Sequence, residues 1–192
     1  MQCLDIPFLF SIILLLLEAQ VTSHQVCLLN SYIFPVDNSI SSFIILDGVT
    51  GGVAYVYSVN NNEGTVNFEQ ELSKNSTRAG SSFGSSVSIN GDYIVVGAPK
   101  NGDGGAAYIF HKDSNEWDLF SPSPTMNAFF GWSVAVNSNG VIAVGAWGDR
   151  ESKGSVYIFK YDGETTWNHV FTLQPNVSDD GSSGWDVAID EE

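Results

Sequence analysis

The side chains able to do chemistry are few and scattered. The histidines are His24, His111 and His169, and no pair has the spacing of a His-Glu-x-x-His metal helix. Gly131-Trp132-Ser133-Val134-Ala135 begins like a nucleophile elbow. It lacks the final glycine, and no helical periodicity follows it. Asn101-Gly102-Asp103-Gly104 is spelled like the opening of a calcium loop. No later acidic residues bring it toward the six to eight oxygens such a cation takes. The glycines precede strand-like segments rather than helices, so no phosphate cradle is expected. What remains is aromatic. The chain has five tryptophans, and aromatics dominate binding hot spots. Trp132 follows Gly131, Trp185 follows Gly184 and Trp147 follows Gly145-Ala146; packing between sheets is the first reading of all three, and partner anchors at a loop face the alternative. Trp117 and Trp167 occupy matching places in strand-like segments and read as structural.

These residues sit on a segment that is written twice. Residues 83–110 and 130–159 share Phe-Gly (Phe83-Gly84, Phe130-Gly131), Val-Gly-Ala (Gly97-Ala98, Gly145-Ala146) and an aromatic triplet (Tyr108 to Phe110, Tyr157 to Phe159). The spacing is 47 to 49 residues in each block, which marks a repeat architecture. Ser86 and Ser133 share one slot of this repeat, and so does Asp186. Ser133 therefore reads as a repeat position, not a nucleophile.

Each repeat predicts four strands. In the first they are Ser86–Ile89, Tyr93–Val96, Ala106–Phe110 and Glu116–Leu119. Period-two alternation marks the first and last, and a short apolar run marks the second. Asn90-Gly91 predicts a hairpin turn. The second repeat gives Trp132–Val136, Val141–Val144, Ser155–Tyr161 and Trp167–Phe171. Residues 43–57 read as strands two and three of an earlier, degenerate copy. Residues 184–189 read as the first strand of a further one, left with an unpaired apolar edge. The expected fold is all-β, built of four-stranded antiparallel β-propeller blades. The expected division is 40–78, 79–125, 126–178 and 179–192, after a lead-in at 24–39. Two whole and two partial blades fall short of a closed ring, so a fragment of a longer chain or closure with other copies is expected.

The paired motifs resemble FG-GAP repeats, the units of the integrin α-subunit N-terminal propeller. The motif residues are Phe83, Gly84, Gly97, Ala98 and Pro99, then Phe130, Gly131, Gly145 and Ala146, with Trp147 in place of the proline. The resemblance covers residues 40–192. It implies a ring of about seven blades whose loops on one face bind protein partners. Many family members carry a calcium loop between the first two strands. Here that gap holds only Asn90-Gly91-Asp92 and Asn137-Ser138-Asn139-Gly140, so no cofactor is expected and calcium is the weaker reading.

Residues 1–23 read as a signal peptide. The apolar core from Ile6 to Leu17 is too short to span a bilayer, and small residues precede a cut before His24. The leader has no Lys or Arg, which is atypical; the alternative is a buried or interfacial helix. Sequons at Asn75 and Asn176 agree with a secreted or extracellular route. Cleavage leaves Cys27 without an internal partner, so this is no disulfide scaffold. The net charge is −15, from 7 Lys+Arg against 22 Asp+Glu. That excludes nucleic-acid binding through basic patches and docking to anionic membranes. No later segment is long enough for a transmembrane helix. The expected function is a non-catalytic module that binds an extracellular protein or glycan through its loops. The alternatives are the propeller of a longer, phospholipase-like enzyme and a structural surface protein.

Overall fold

The computed structural model describes residues 40–46, 52–60, 65–74, 80–111, 116–119, 125–164, 166–174 and 181–190. The leader, Cys27 and both sequons, Asn75 and Asn176, lie outside these residues.

Three antiparallel sheets follow one another along the chain. The first holds β1 (Ile40–Leu46), β2 (Val53–Asn60) and β3 (Thr65–Leu72) in that order. The second is β4 (Ser86–Asn90), β5 (Tyr93–Ala98), β6 (Ala106–His111) and β7 (Glu116–Leu119). The third is β8 (Ser133–Val136), β9 (Val141–Ala146), β10 (Ser155–Tyr161) and β11 (Trp167–Leu173). Every strand pairs with its chain neighbour, the up-and-down order of propeller blades. The first sheet supplies strands two, three and four of a unit: Gly52 and Gly105 both precede the third strand with positive φ, 81° and 89°.

Registers correct three expectations. The first hairpin closes as Asn90↔Tyr93, so its two-residue turn is Gly91-Asp92, one residue later than Asn90-Gly91. Gly91 has φ +56° at the first central position, where a II′ hairpin takes glycine. Trp117 and Trp167 are not equivalent. Trp117 pairs with Ile109, whose counterpart Ile158 pairs with Phe171, whereas Trp167 pairs with Tyr161, three residues further along β10 toward the turn. A bulge between Ile158 and Phe159 shifts β11 past the alignment that sequence spacing suggests. Finally, residues 184–190 form no strand ladder. A strand exists only against a partner, and no partner strand stands beside them among the described residues.

The core lies between sheets, not within one. Ala54, Val56 and Leu72 of the first sheet meet Phe83, Val96 and Tyr108 of the second. Val95, Ala107 and Ile109, on the other face of the second sheet, meet Phe130, Val144 and Tyr157 of the third. Each motif phenylalanine is the plug of one seam. Phe83 and Phe130 are fully buried. Phe83 packs 5.4 Å from Tyr108, and Phe130 packs 5.4 Å from Tyr157. The face of the third sheet that bears Val156 and Ile158 is the repeat copy of the covered Ala107 and Ile109 face, and it is open. Leu72 is 3% exposed in the first sheet, while Leu173, in the same slot of the third, is 49% exposed.

Candidate binding face at the loop end of the sheets

Antiparallel order puts two kinds of link at one end of every sheet. The link entering strand one lies there, and so does the link from strand two to strand three. In the third sheet these are residues 125–132 and 147–154.

Hydrogen bonds lock these links to their own sheet and to its neighbour, and they repeat. The Gly84 N–H donates to the Gly97 carbonyl at 2.9 Å, and Gly131 N–H donates to Gly145 at 3.0 Å. Across the seam, Phe130 N–H donates to the Gly104 carbonyl (2.8 Å) and Ser183 N–H to Lys153 (3.0 Å). Ser86 Oγ donates to the Gly131 carbonyl at 2.8 Å, and Ser133 Oγ donates to Gly184 at 2.8 Å. The backbones approach so closely that a Cβ on Gly97 would overlap the Gly131 carbonyl oxygen, and one on Gly145 would overlap that of Gly184. Glycine is required here for space. Toward the other end, Ser88 Oγ accepts from Val136 N–H at 3.1 Å, and Asn137 Nδ2 donates to the Asp190 carbonyl at 3.0 Å.

Four aromatics gather at the loop end. Phe129 and Trp147 stack with centroids 4.9 Å apart and 5° between planes. Trp132 lies 5.6 Å from Trp147 and 4.9 Å from Trp185, and Trp147 lies 5.3 Å from Trp185. The three sequence candidates are thus brought together. Phe129 joins them although the sequence reading passed over it. The preceding repeat builds the same positions with Ser82, Ser85 and Pro99. The slot of Phe129 is left-handed in every copy, with φ of 56° at Ser82, 55° at Phe129 and 41° at Ser182. A bulky residue there costs about 1–2 kcal/mol of backbone strain, so Phe129 is held against its own preference.

Beside this cluster the third sheet carries a buried carboxylate. Asp149 opens the short turn Asp149–Ser152. Its Oδ1 accepts from Thr125 Oγ1 (2.7 Å) and Arg150 N–H (2.9 Å), and its Oδ2 accepts from Ser155 Oγ (2.6 Å) and Tyr157 OH (2.8 Å). Burial pushes the acid's pKa upward, but the hydrogen bonds from Ser155, Thr125, Tyr157 and Arg150 outweigh it and leave it below the ordinary value. In the first repeat Asn101 takes this place and donates from Nδ2 to Tyr108 OH at 2.7 Å.

Residues 66–110 and 119–159 each match the model of the FG-GAP repeat. The chain carries two FG-GAP repeats. No curated protein matches the chain. Each FG-GAP match begins in or at the fourth strand of one sheet and ends in the third strand of the next. The sequence unit therefore spans a seam, and that is where its named residues work. The phenylalanine plugs the seam, and the glycine after it and the glycine of Gly-Ala touch across it.

The FG-GAP geometry also accounts for the other chemical candidates. Ser133 Oγ is buried and committed to the Gly184 carbonyl. His111 ends β6 with its ring 4.9 Å from Tyr93, and His169 lies on β11 with Nε2 2.8 Å from Thr172 Oγ1. They belong to different sheets. In the calcium-like loop, Asn101 is spent on Tyr108, and the Asp103 carbonyl accepts from Asn127 N–H at 2.8 Å. Among the described residues no three His, Cys, Asp or Glu side chains are grouped to hold a metal ion. No described helix is long and apolar enough to cross a membrane.

Proposed function

We propose that this chain is part of a secreted or cell-surface β-propeller that binds an extracellular protein or glycan through its loop end and does no catalysis itself. One observation carries the reading. Phe129, Trp132, Trp147 and Trp185 gather on links that the same fold builds elsewhere with Ser82, Ser85 and Pro99. Large aromatics that the preceding repeat lacks, placed at a loop face, are the composition of interface anchors. The signal-like leader and the sequons at Asn75 and Asn176 support an extracellular route. The open face bearing Val156, Ile158 and Leu173 is the docking surface for a further blade, whether from additional repeats or from another copy.

The test grafts the first repeat onto the second: Phe129→Ser, Trp132→Ser and Trp147→Pro together. The fluorescently labelled chain is bound to intact cells, with and without the graft. Loss of cell binding with the melting temperature kept supports the reading. Undiminished binding by the grafted chain contradicts it.

A further inference from the structure

The first sheet and the last segment are incomplete in opposite ways. The first sheet supplies strands two, three and four of a unit, and among the described residues only β2 pairs with β1. Residues 184–190 hold the place of strand one in a further unit. Ser133 Oγ and Asn137 Nδ2 donate to the carbonyls of Gly184 and Asp190, so the segment is held in position, yet it belongs to no ladder. A bare edge is a template for a strand, and here the missing strand and the spare one are the same strand of the repeat. The faces match in the same way. Val156, Ile158 and Leu173 lie open on the third sheet. On the first sheet, the face turned away from the second bears Tyr55, in the slot of Tyr108 and Tyr157, with Phe68 6.2 Å from it. Tyr108 and Tyr157 are buried, Tyr55 only partly, and Phe68 is 57% exposed. The slot of Phe83 and Phe130 holds Ser183, so the third seam brings no plug of its own. Phe68 pairs with Tyr57 and brings a ring to a position where the other sheets have Glu116 and His169.

We infer that this chain pairs head to tail with a second copy of itself. Residues 184–190 of one copy add to β1 of the other as its strand one, and the third sheet of the first copy packs against the first sheet of the second. The complete sheets set the register. Ser86 pairs with Gly97 and Val87 with Val96, so Asp186 pairs with Ile45 and Val187 with Ile44. With the strand exchanged, each copy accounts for three four-stranded sheets, so two copies make a ring of six. Head-to-tail contacts form a ring when the rotation closes. Propellers take about four to eight blades, and a third copy would exceed that. The junction is weaker than a seam within the chain. Ser86 and Ser133 each donate to the glycine carbonyl of the next unit, and the carboxylate of Asp186 in their slot cannot. This inference rests on the reading of the open third sheet as a docking surface and names what docks there. The loop-end graft leaves both edges alone, so cell binding and assembly stand or fall separately.

Sedimentation velocity of the purified chain over a wide range of concentrations reads the assembly. A two-chain species is expected, falling to single chains on dilution. Ala188→Pro should leave single chains at concentrations where wild type pairs. Asn137 N–H donates into its own ladder, to the Val141 carbonyl, and Val136 N–H points out of it, to Ser88 Oγ. By alternation the N–H of Ala135, and of Ala188 in its slot, faces strand two, and proline removes it. Ala188 lies in no ladder of the single chain, so the melting temperature of dilute protein should not move. Ile158→Asp should also halve the mass, by placing a charge on the docking face. Asp186→Ser restores the missing donor and should tighten the pair about twofold to tenfold, the range of one hydrogen bond. Single chains throughout the range overturn the inference and leave the β1 edge to residues 24–39 or to further repeats. So does a mass that keeps climbing with concentration, the mark of an open filament. Undiminished pairing in both Ala188→Pro and Ile158→Asp overturns it as well.

Discussion

Phe129 and Phe130 are adjacent in the chain and differ in almost everything else. Phe130 is fully buried between two sheets and recurs as Phe83. Phe129 is half-buried, sits in left-handed backbone, stacks on Trp147, and has only serine in its slot elsewhere. The seam holds residues that the copies share; the loop end holds aromatics that the 83–110 copy lacks, Phe129 and Trp147 in one repeat and Trp132 and Trp185 in one slot of two. The difference separates what builds the sheets from what the proposed binding face would use.

That separation gives a ranked set of expectations. Phe130→Ala empties a plug that Tyr157 and Phe159 pack against, and should cost about 3–5 kcal/mol in urea unfolding. Gly145→Ala drives a Cβ into the Gly184 carbonyl and Ser133 Oγ, neither of which is free to retreat. It should cost about 1–3 kcal/mol, the range of overpacking. A loss under about 0.5 kcal/mol in either variant would blur the line between the two regions.

Asp149 lies between the seam and the loop end and sharpens the comparison. Asp149→Ala strands the hydroxyls of Thr125, Ser155 and Tyr157, and should cost about 2–3 kcal/mol. Asp149→Asn should cost less, because Asn101 serves the same place opposite Tyr108. The pH dependence has a definite sign. The folded-state pKa of Asp149 is depressed, so its stabilisation is fully present above the ordinary carboxyl value and fades as pH falls through the folded one. Acid unfolding of Asp149→Asn compared with wild type should show the variant losing less between neutral pH and about pH 3. Ser133→Ala removes one donor from the Gly184 carbonyl and should cost about 1 kcal/mol, read from the denaturant midpoint.

The repeat made much of this legible from sequence. Strand order, the seam residues and the structural role of Ser133 follow from aligning the two copies. What it hid has physical causes. The β10–β11 hairpin pairs two positions further toward its turn than β6–β7 and carries a one-residue bulge, and sequence spacing shows neither, so Trp167 does not take the place of Trp117. The turn at Gly91-Asp92 is set by which residue carries positive φ, not by the dipeptide that attracts attention. Phe129 was masked by its neighbour: in Phe129-Phe130-Gly131 the motif claims one phenylalanine, and the other shows its importance only against Ser82 and Ser182. Asp149 and Asn137 gave no signal at all, because their partners are remote in sequence or are backbone atoms. At the loop end, sequence singled out Trp132, Trp147 and Trp185 but had no way to bring them together.

A second aromatic group marks the limit of reading by residue type. Tyr93, Tyr161 and Trp167 also cluster, with Trp167 5.3 Å from Tyr93 and 5.2 Å from Tyr161. It joins β5 of one sheet to β10 and β11 of the next, and Trp167 is buried. Burial, then the charges of Tyr161 and Asp92, hold the Tyr93 hydroxyl above its ordinary pKa. This group is seam material; the loop-end group is not.

The most direct measurement is the denaturant unfolding of Phe129→Ser beside Phe130→Ser. Phe130→Ser should lose at least about 3 kcal/mol, and Phe129→Ser should stay within about 1 kcal/mol of wild type, since serine suits its left-handed slot and the scaffold needs no ring there. Equal, large losses in the two variants would show that the loop-end aromatics hold the fold together, and would contradict the division on which the binding face rests.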